Sequence, residues 1–142
     1  MKNLLFILLL PLVGCSQSIK GTTFTADTMQ ILESDDEGYY SIERRKLVNV
    51  EITFYKNSIH ILDTNTDSLT IIQGKYLPRN GQGDRHYYSL DNGVVNVYLD
   101  YDVVSICWEW REDVHAYNTI FRFAGLKELQ SEGRPTDMMH NW

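Results

Sequence analysis

The stretch that decides the fold runs from His86 to Phe123, HYYSLDNGVVNVYLDYDVVSICWEWREDVHAYNTIFRF, where apolar and polar residues alternate between turn signals. A period of two belongs to a strand with one buried face, because successive side chains leave the backbone on opposite sides. Agreement between neighbouring strands is the sharper test, since a slip of one residue reverses every side chain. A two-residue turn at Asn92-Gly93 sets Leu90 opposite Val95, Tyr88 opposite Val97 and His86 opposite Leu99. A four-residue loop from Asp100 to Val103 then sets Val104 opposite Leu99, Ile106 opposite Val97 and Trp108 opposite Val95. A further loop from Arg111 to Val114 sets Trp110 against His115, Trp108 against Tyr117, Ile106 against Thr119 and Val104 against Phe121. Four consecutive strands thus share one inner face.

Outward from this block the same pattern continues. Val48, Val50, Ile52 and Phe54 alternate with polar residues, and a turn at Lys56-Asn57 sets Phe54 opposite Ile59 and Ile52 opposite Ile61. Further strands are expected over Thr22 to Thr25, Met29 to Glu33, Tyr39 to Glu43 and Ser68 to Leu77. Ser34 to Gly38, Asp63 to Asp67 and Pro78 to Asp84 have loop compositions, and Leu126 to Gln130 could form a helical turn. The expected fold is all-β: an antiparallel up-and-down meander over 21–125, closing into a small barrel or flattened sandwich, with a short helical turn in a tail over 126–142. This resembles the architecture of lipocalin-like small barrels. Gly21-Thr22-Thr23 stands where lipocalins carry Gly-x-Trp, so the resemblance implies an architecture and transfers no binding residues.

The first fifteen residues carry an address. Lys2 precedes an apolar run from Leu4 to Val13, followed by Gly14-Cys15 and small polar residues, the outline of a secretion signal. The run is too short for a spanning helix and contains Pro11. Leu12-Val13-Gly14-Cys15 resembles the lipobox of bacterial lipoproteins. That resemblance implies removal of residues 1–14 and lipid on Cys15, with 15–20 as lipidated cysteine and tether. It also implies a membrane partner through the lipid, in the bacterial cell envelope, and Ser16 implies the outer membrane, facing either the periplasm or the cell surface. Without its first 14 residues the 142-residue chain has 128, and its formal charge of −6 becomes −7 because Lys2 is lost. With Cys15 lipidated, Cys107 has no cysteine to pair with. The acidic surplus excludes a nonspecific nucleic-acid binder, and the apolar and aromatic content excludes disorder.

Chemistry leaves few marks. Gly-x-Ser-x-Gly, His-Glu-x-x-His and Cys-x-x-Cys are absent, and no enzyme activity or cofactor is expected. Cys107, His115 and Asp113 could on paper form a thiolate, a base and its orienter, but the register sends Cys107 outward and His115 inward. His60, His86, His115 and His140 lack zinc-site spacing. DTNTD at Asp63 to Asp67 has alternating oxygen ligands like a shortened calcium loop, without its glycine or distant glutamate, so no metal is expected. Aromatic residues remain as the clue, with Phe54, Tyr88, Trp108, Trp110, Tyr117, Phe121 and Phe123 all expected inside. An eight-stranded barrel interior either fills with side chains or holds one small ligand. The candidate ligand site is therefore His86, Tyr88, Trp108, Trp110 and Tyr117, for a small, partly apolar ligand. The alternative is a protein-interaction, accessory or inhibitor role in the envelope, with outer Tyr87, Tyr98 and Tyr101 and the negative charge meeting a basic partner.

Overall fold

The computed structural model describes residues 19–78 and 84–129. The signal segment 1–14, Cys15, most of the tether, the centre of the loop from Pro78 to Asp84, and the tail from residue 130 with His140 lie outside the described residues.

The fold is all-β. Its strands are β1 (Thr23–Ser34), β2 (Tyr40–Phe54), β3 (Ser58–Asp63), β4 (Ser68–Gln73), β5 (Lys75–Leu77), β6 (Arg85–Leu90), β7 (Gly93–Tyr98), β8 (Val103–Arg111), β9 (Ala116–Ala124) and β10 (Lys127–Glu128). One 3-10 turn, Leu99–Tyr101, joins β7 to β8. The pairing order is β4-β3-β2-β1-β9-β8-β7-β6-β5, antiparallel throughout. Its two ends, β4 and β5, are separated in sequence only by Gly74, so β4 and β5 are one strand bent at a glycine. The first half pairs with β3 and the second with β6. This bend makes the sheet a nearly closed eight-stranded up-and-down barrel. The Gly74 and Tyr76 N–H groups donate to the Asn57 and Lys56 carbonyls, which ties the bend to the β2–β3 turn.

Two expected strand pairs prove to be continuous. The expected strands Thr22 to Thr25 and Met29 to Glu33 merge into β1, which starts at Thr23, and Tyr39 to Glu43 merges with Val48 to Phe54 into the 15-residue β2, which starts at Tyr40. Arg44-Arg45-Lys46, between these two expected strands, is extended because β1 pairs along its length, with irregular register near Asp27 and near Glu43. Such bulges and cations on a free edge discourage pairing with a foreign strand.

The hairpin at Lys56-Asn57 has the expected register, Phe54 with Ile59 and Ile52 with Ile61. In the decisive stretch each register is displaced by two residues. Leu90 pairs with Gly93, Val97 with Val104, and Ile106 with Phe121. A displacement of two preserves the faces, so Tyr88, Val95, Val97, Val104, Ile106 and Phe123 are buried together as expected. The cause is Gly93. It serves as a site of close approach to β8, where a Cβ would meet the Cys107 carbonyl, and its φ is outside the left-handed region a turn glycine would occupy.

The expected helical turn from Leu126 is corrected to a strand. Gly125 (φ 72°) turns the chain, Leu126 enters the core, and Lys127 and Glu128 pair with Thr25 and Phe24. Below its bulge β1 no longer pairs with β9, and this short strand fills the vacated edge.

Ile19 and Leu126 cap one end of the barrel, where Phe24, Phe54 and Tyr88 pack ring against ring at about 6 Å (5.9 and 6.0 Å). A smaller cluster of Leu32, Cys107 and Ile120 lies on the outer face of the sheet.

Candidate functional site

Between the capped end and the β3–β4 and β8–β9 turns the interior is unfilled. A cavity of about 360 Å³ is lined by Ile61, Thr70, Ile72, Ile106, Trp108, Phe121 and Phe123. The strands explain its composition. Ile61 pairs with Thr70, and Ile106 with Phe121, so the cavity separates a β3–β4 wall from a β8–β9 wall on the inner face. Thr70 is exposed and marks the mouth. Among the described lining residues only Thr70 and Trp108 carry a side-chain polar group, and the other side chains are hydrocarbon.

Of the five residues expected to meet a ligand, one lines this cavity, Trp108. His86 and Tyr88 are buried on the same inner face but belong to a polar network towards the capped end. Tyr76 Oη and His86 Nδ1 are 2.8 Å apart, and the Tyr88 hydroxyl donates to the Tyr55 carbonyl at 2.7 Å. Burial lowers the His86 pKa below its ordinary value, against the opposing pull of Asp84, and raises that of Tyr88. Both effects favour neutral side chains, consistent with groups serving as satisfied core polars.

Trp110 and Tyr117 depart from the inner face. Trp110 is 46 % exposed, and Tyr117 packs against the outer Leu32, Cys107 and Ile120 cluster. Glu109 adopts a left-handed conformation (φ 61°) between Trp108 and Trp110, which interrupts simple alternation along β8 where Trp110 pairs with Tyr117. The Trp110 ring lies 4.9 Å from Tyr117 and 6.2 Å from His115, and its Nε1–H donates to Glu112 at 2.8 Å. Tyr40 Oη accepts from the Tyr117 N–H at 2.6 Å, adding another exposed ring to this end.

Cys107 is buried, and burial pushes its thiol pKa up to about 11, with only a partial counter-effect from Arg122. His115 is exposed in the β8–β9 turn. A shielded, protonated thiol is poorly suited to nucleophilic chemistry. Asp63 accepts from the Asn65 N–H at 2.9 Å within its own turn, and among the described residues no three His, Cys, Asp or Glu side chains converge as metal ligands. On the outer face Arg85 pairs with Asp100 at 3.2 Å and lies over the rings of Tyr98 and Tyr101 at 4.9 and 5.7 Å. Tyr87 meets Tyr98 edge to face at 6.3 Å.

Sequence reasoning missed six of the seven cavity residues as ligand contacts: Ile61, Thr70, Ile72, Ile106, Phe121 and Phe123. Their inward direction could be read from alternation for all but Thr70 and Ile72, whose strand carries no clear pattern in SLTIIQ. No protein-family model, curated protein or solved structure matches this chain.

Proposed function

We propose that this protein is a lipid-anchored bacterial envelope protein that holds a small apolar ligand in its barrel and does not catalyse a reaction. The observation that carries the reading is the apolar cavity of about 360 Å³ inside a barrel whose other half is close-packed. Protein interiors ordinarily leave few voids larger than a water molecule. The volume falls within the range of ligand pockets, roughly 300–1,000 Å³, towards its lower end. The lining offers no titratable side chain among the described residues, which favours binding over acid–base chemistry.

Fluorescence provides the direct test. Trp110→Phe with Trp142→Phe leaves Trp108 as the sole tryptophan, and titration with small apolar compounds is expected to shift its emission saturably. A panel that leaves Trp108 unchanged, while Phe121→Ala has no effect on any binding measured by calorimetry, would refute the reading. The address has its own test: metabolic labelling with a palmitate analogue is expected to mark the wild-type chain and to be lost in Cys15→Ser.

A second reading, an interaction surface for another envelope protein, is favoured by the exposed Tyr39, Tyr40 and Trp110 near the β1–β2 and β8–β9 turns. Aromatic residues are enriched in interface cores. Tyr39→Ala with Trp110→Ala would then abolish a co-purifying partner while leaving the Trp108 response intact.

A further inference from the structure

Three rows of cross-strand neighbours cross the cavity walls and continue onto β1 and β2. Directly opposed residues in an antiparallel sheet share a face. One row runs from Ile106 through Phe121 and Ile31 to Arg44, and the next from Val104 through Phe123 and Met29 to Lys46. The outermost runs from Trp108 through Thr119 and Glu33 to Ser41. Along β2 the inner face therefore reads Phe54, Ile52, Val50, Val48, and then Lys46 and Arg44. The stripe changes from apolar to cationic where β3 stops, because β3 pairs only with Val50 to Phe54. Arg44 and Lys46 are exposed and make no ion pair among the described residues.

We propose that the ligand is a single-chain amphiphile with a carboxylate head: the chain occupies the cavity and the head is held by Arg44 and Lys46 at its rim. The proposal rests on the ligand-binding reading above and adds the class of ligand. Two residues apart on one face of a strand, the cations stand about 7 Å apart, a spacing that brackets one anionic head. Both side chains are long enough to keep their charge in water while their stems lie along the apolar wall. The cavity volume suits one chain. Three carboxylates stand at this face, and one of them, Glu43 in the bulge beside Arg44, accepts from the Ser41 hydroxyl at 2.8 Å. Asp63, opposite Val50, is engaged with the Asn65 N–H in its own turn, and Glu33 lies on the outermost row, beyond Arg44. Glu33 opposes an anionic head and therefore supplies a further test.

Calorimetric titration of the full chain carrying Cys15→Ser would compare dodecanoate, dodecanol and dodecylamine, which differ only in head group. Dodecanoate is expected to bind about five- to tenfold tighter than dodecanol, the size expected of two exposed charge contacts. In Arg44→Gln/Lys46→Gln that advantage should vanish while dodecanol affinity stays the same, which also shows that the variant is folded. Glu33→Gln should strengthen dodecanoate binding alone. Equal binding of dodecanoate and dodecanol, or tightest binding of dodecylamine, would overturn the head-group assignment and leave the cavity reading standing. Binding of none of the three would overturn both.

Discussion

Replacing Gly93 with alanine is expected to destabilise the barrel through the contact between β7 and β8. Gly93 pairs with Trp108, and a Cβ at this position would fall inside contact distance of the Cys107 carbonyl oxygen, 3.1 Å from its carbon and 3.3 Å from Trp108 Cα. All three are backbone atoms, so no side chain can rotate away and the strands themselves must separate. Overpacking of this kind costs about 1–3 kcal/mol. The smaller gain from a less flexible unfolded chain, about 0.4–1 kcal/mol, offsets part of it. A net loss of about 1–2 kcal/mol corresponds to a fall of roughly 3–8 °C in Tm for a chain of this size. Thermal unfolding of Gly93→Ala and Gly93→Asn separates two explanations of the glycine. Asparagine tolerates left-handed backbone, so a turn glycine would accept Gly93→Asn with little loss, whereas a glycine of close approach rejects both. Wild-type stability of Gly93→Asn would refute the reasoning. Displacement of Trp108 should accompany the loss and be visible as altered emission at temperatures below the transition.

Three other outcomes are expected. Tyr88→Phe removes the donor to the Tyr55 carbonyl and should cost about 1 kcal/mol in urea unfolding, with an unchanged m-value. Burial lowers the folded-state pKa of His86, so between that value and the ordinary His value of about 6.5 the unfolded chain binds more protons. Stability should therefore fall as pH drops from about 6.5 towards the folded pKa, and His86→Gln should flatten this part of the profile measured by denaturant midpoint. Cys107, with its thiol pushed up to about 11, should resist a thiol reagent at pH 8 in folded Cys15→Ser and react at once when unfolded; rapid labelling of the folded protein would contradict its burial.

The barrel was legible in the sequence because faces depend on parity. Every register in His86 to Phe123 was displaced by two residues, yet Tyr88, Val95, Ile106 and Phe121 still fall in one row. The displacement itself was hidden, since Asn-Gly is a strong turn signal and nothing local distinguishes a turn glycine from one under a neighbouring carbonyl. Trp110 and Tyr117 were misplaced for a related reason: in Trp-Glu-Trp no residue announces that Glu109 will take a left-handed φ. Closure at Gly74 was equally unmarked, because a glycine in a strand is as compatible with a bulge as with a corner. The cavity depends on how far side chains from opposite walls reach towards each other. That is a property of the closed barrel, and Thr70 opposite Ile61 leaves space that alternation along SLTIIQ does not disclose. The cationic end of the β2 inner stripe emerges only when the pairing of Arg44 with Ile31 and of Ile31 with Phe121 is known.

Methyl NMR of isoleucine-labelled protein during addition of dodecanol measures occupancy of the cavity directly. Ile61, Ile72 and Ile106 line it, whereas Ile19 lies at the capped end and Ile120 on the outer face. Saturable shifts at the first three δ-methyls, with Ile19 and Ile120 unmoved, are the expected result. Shifts confined to the exposed Ile42 and Ile71, or no saturable shift at all, would contradict a ligand-binding barrel interior.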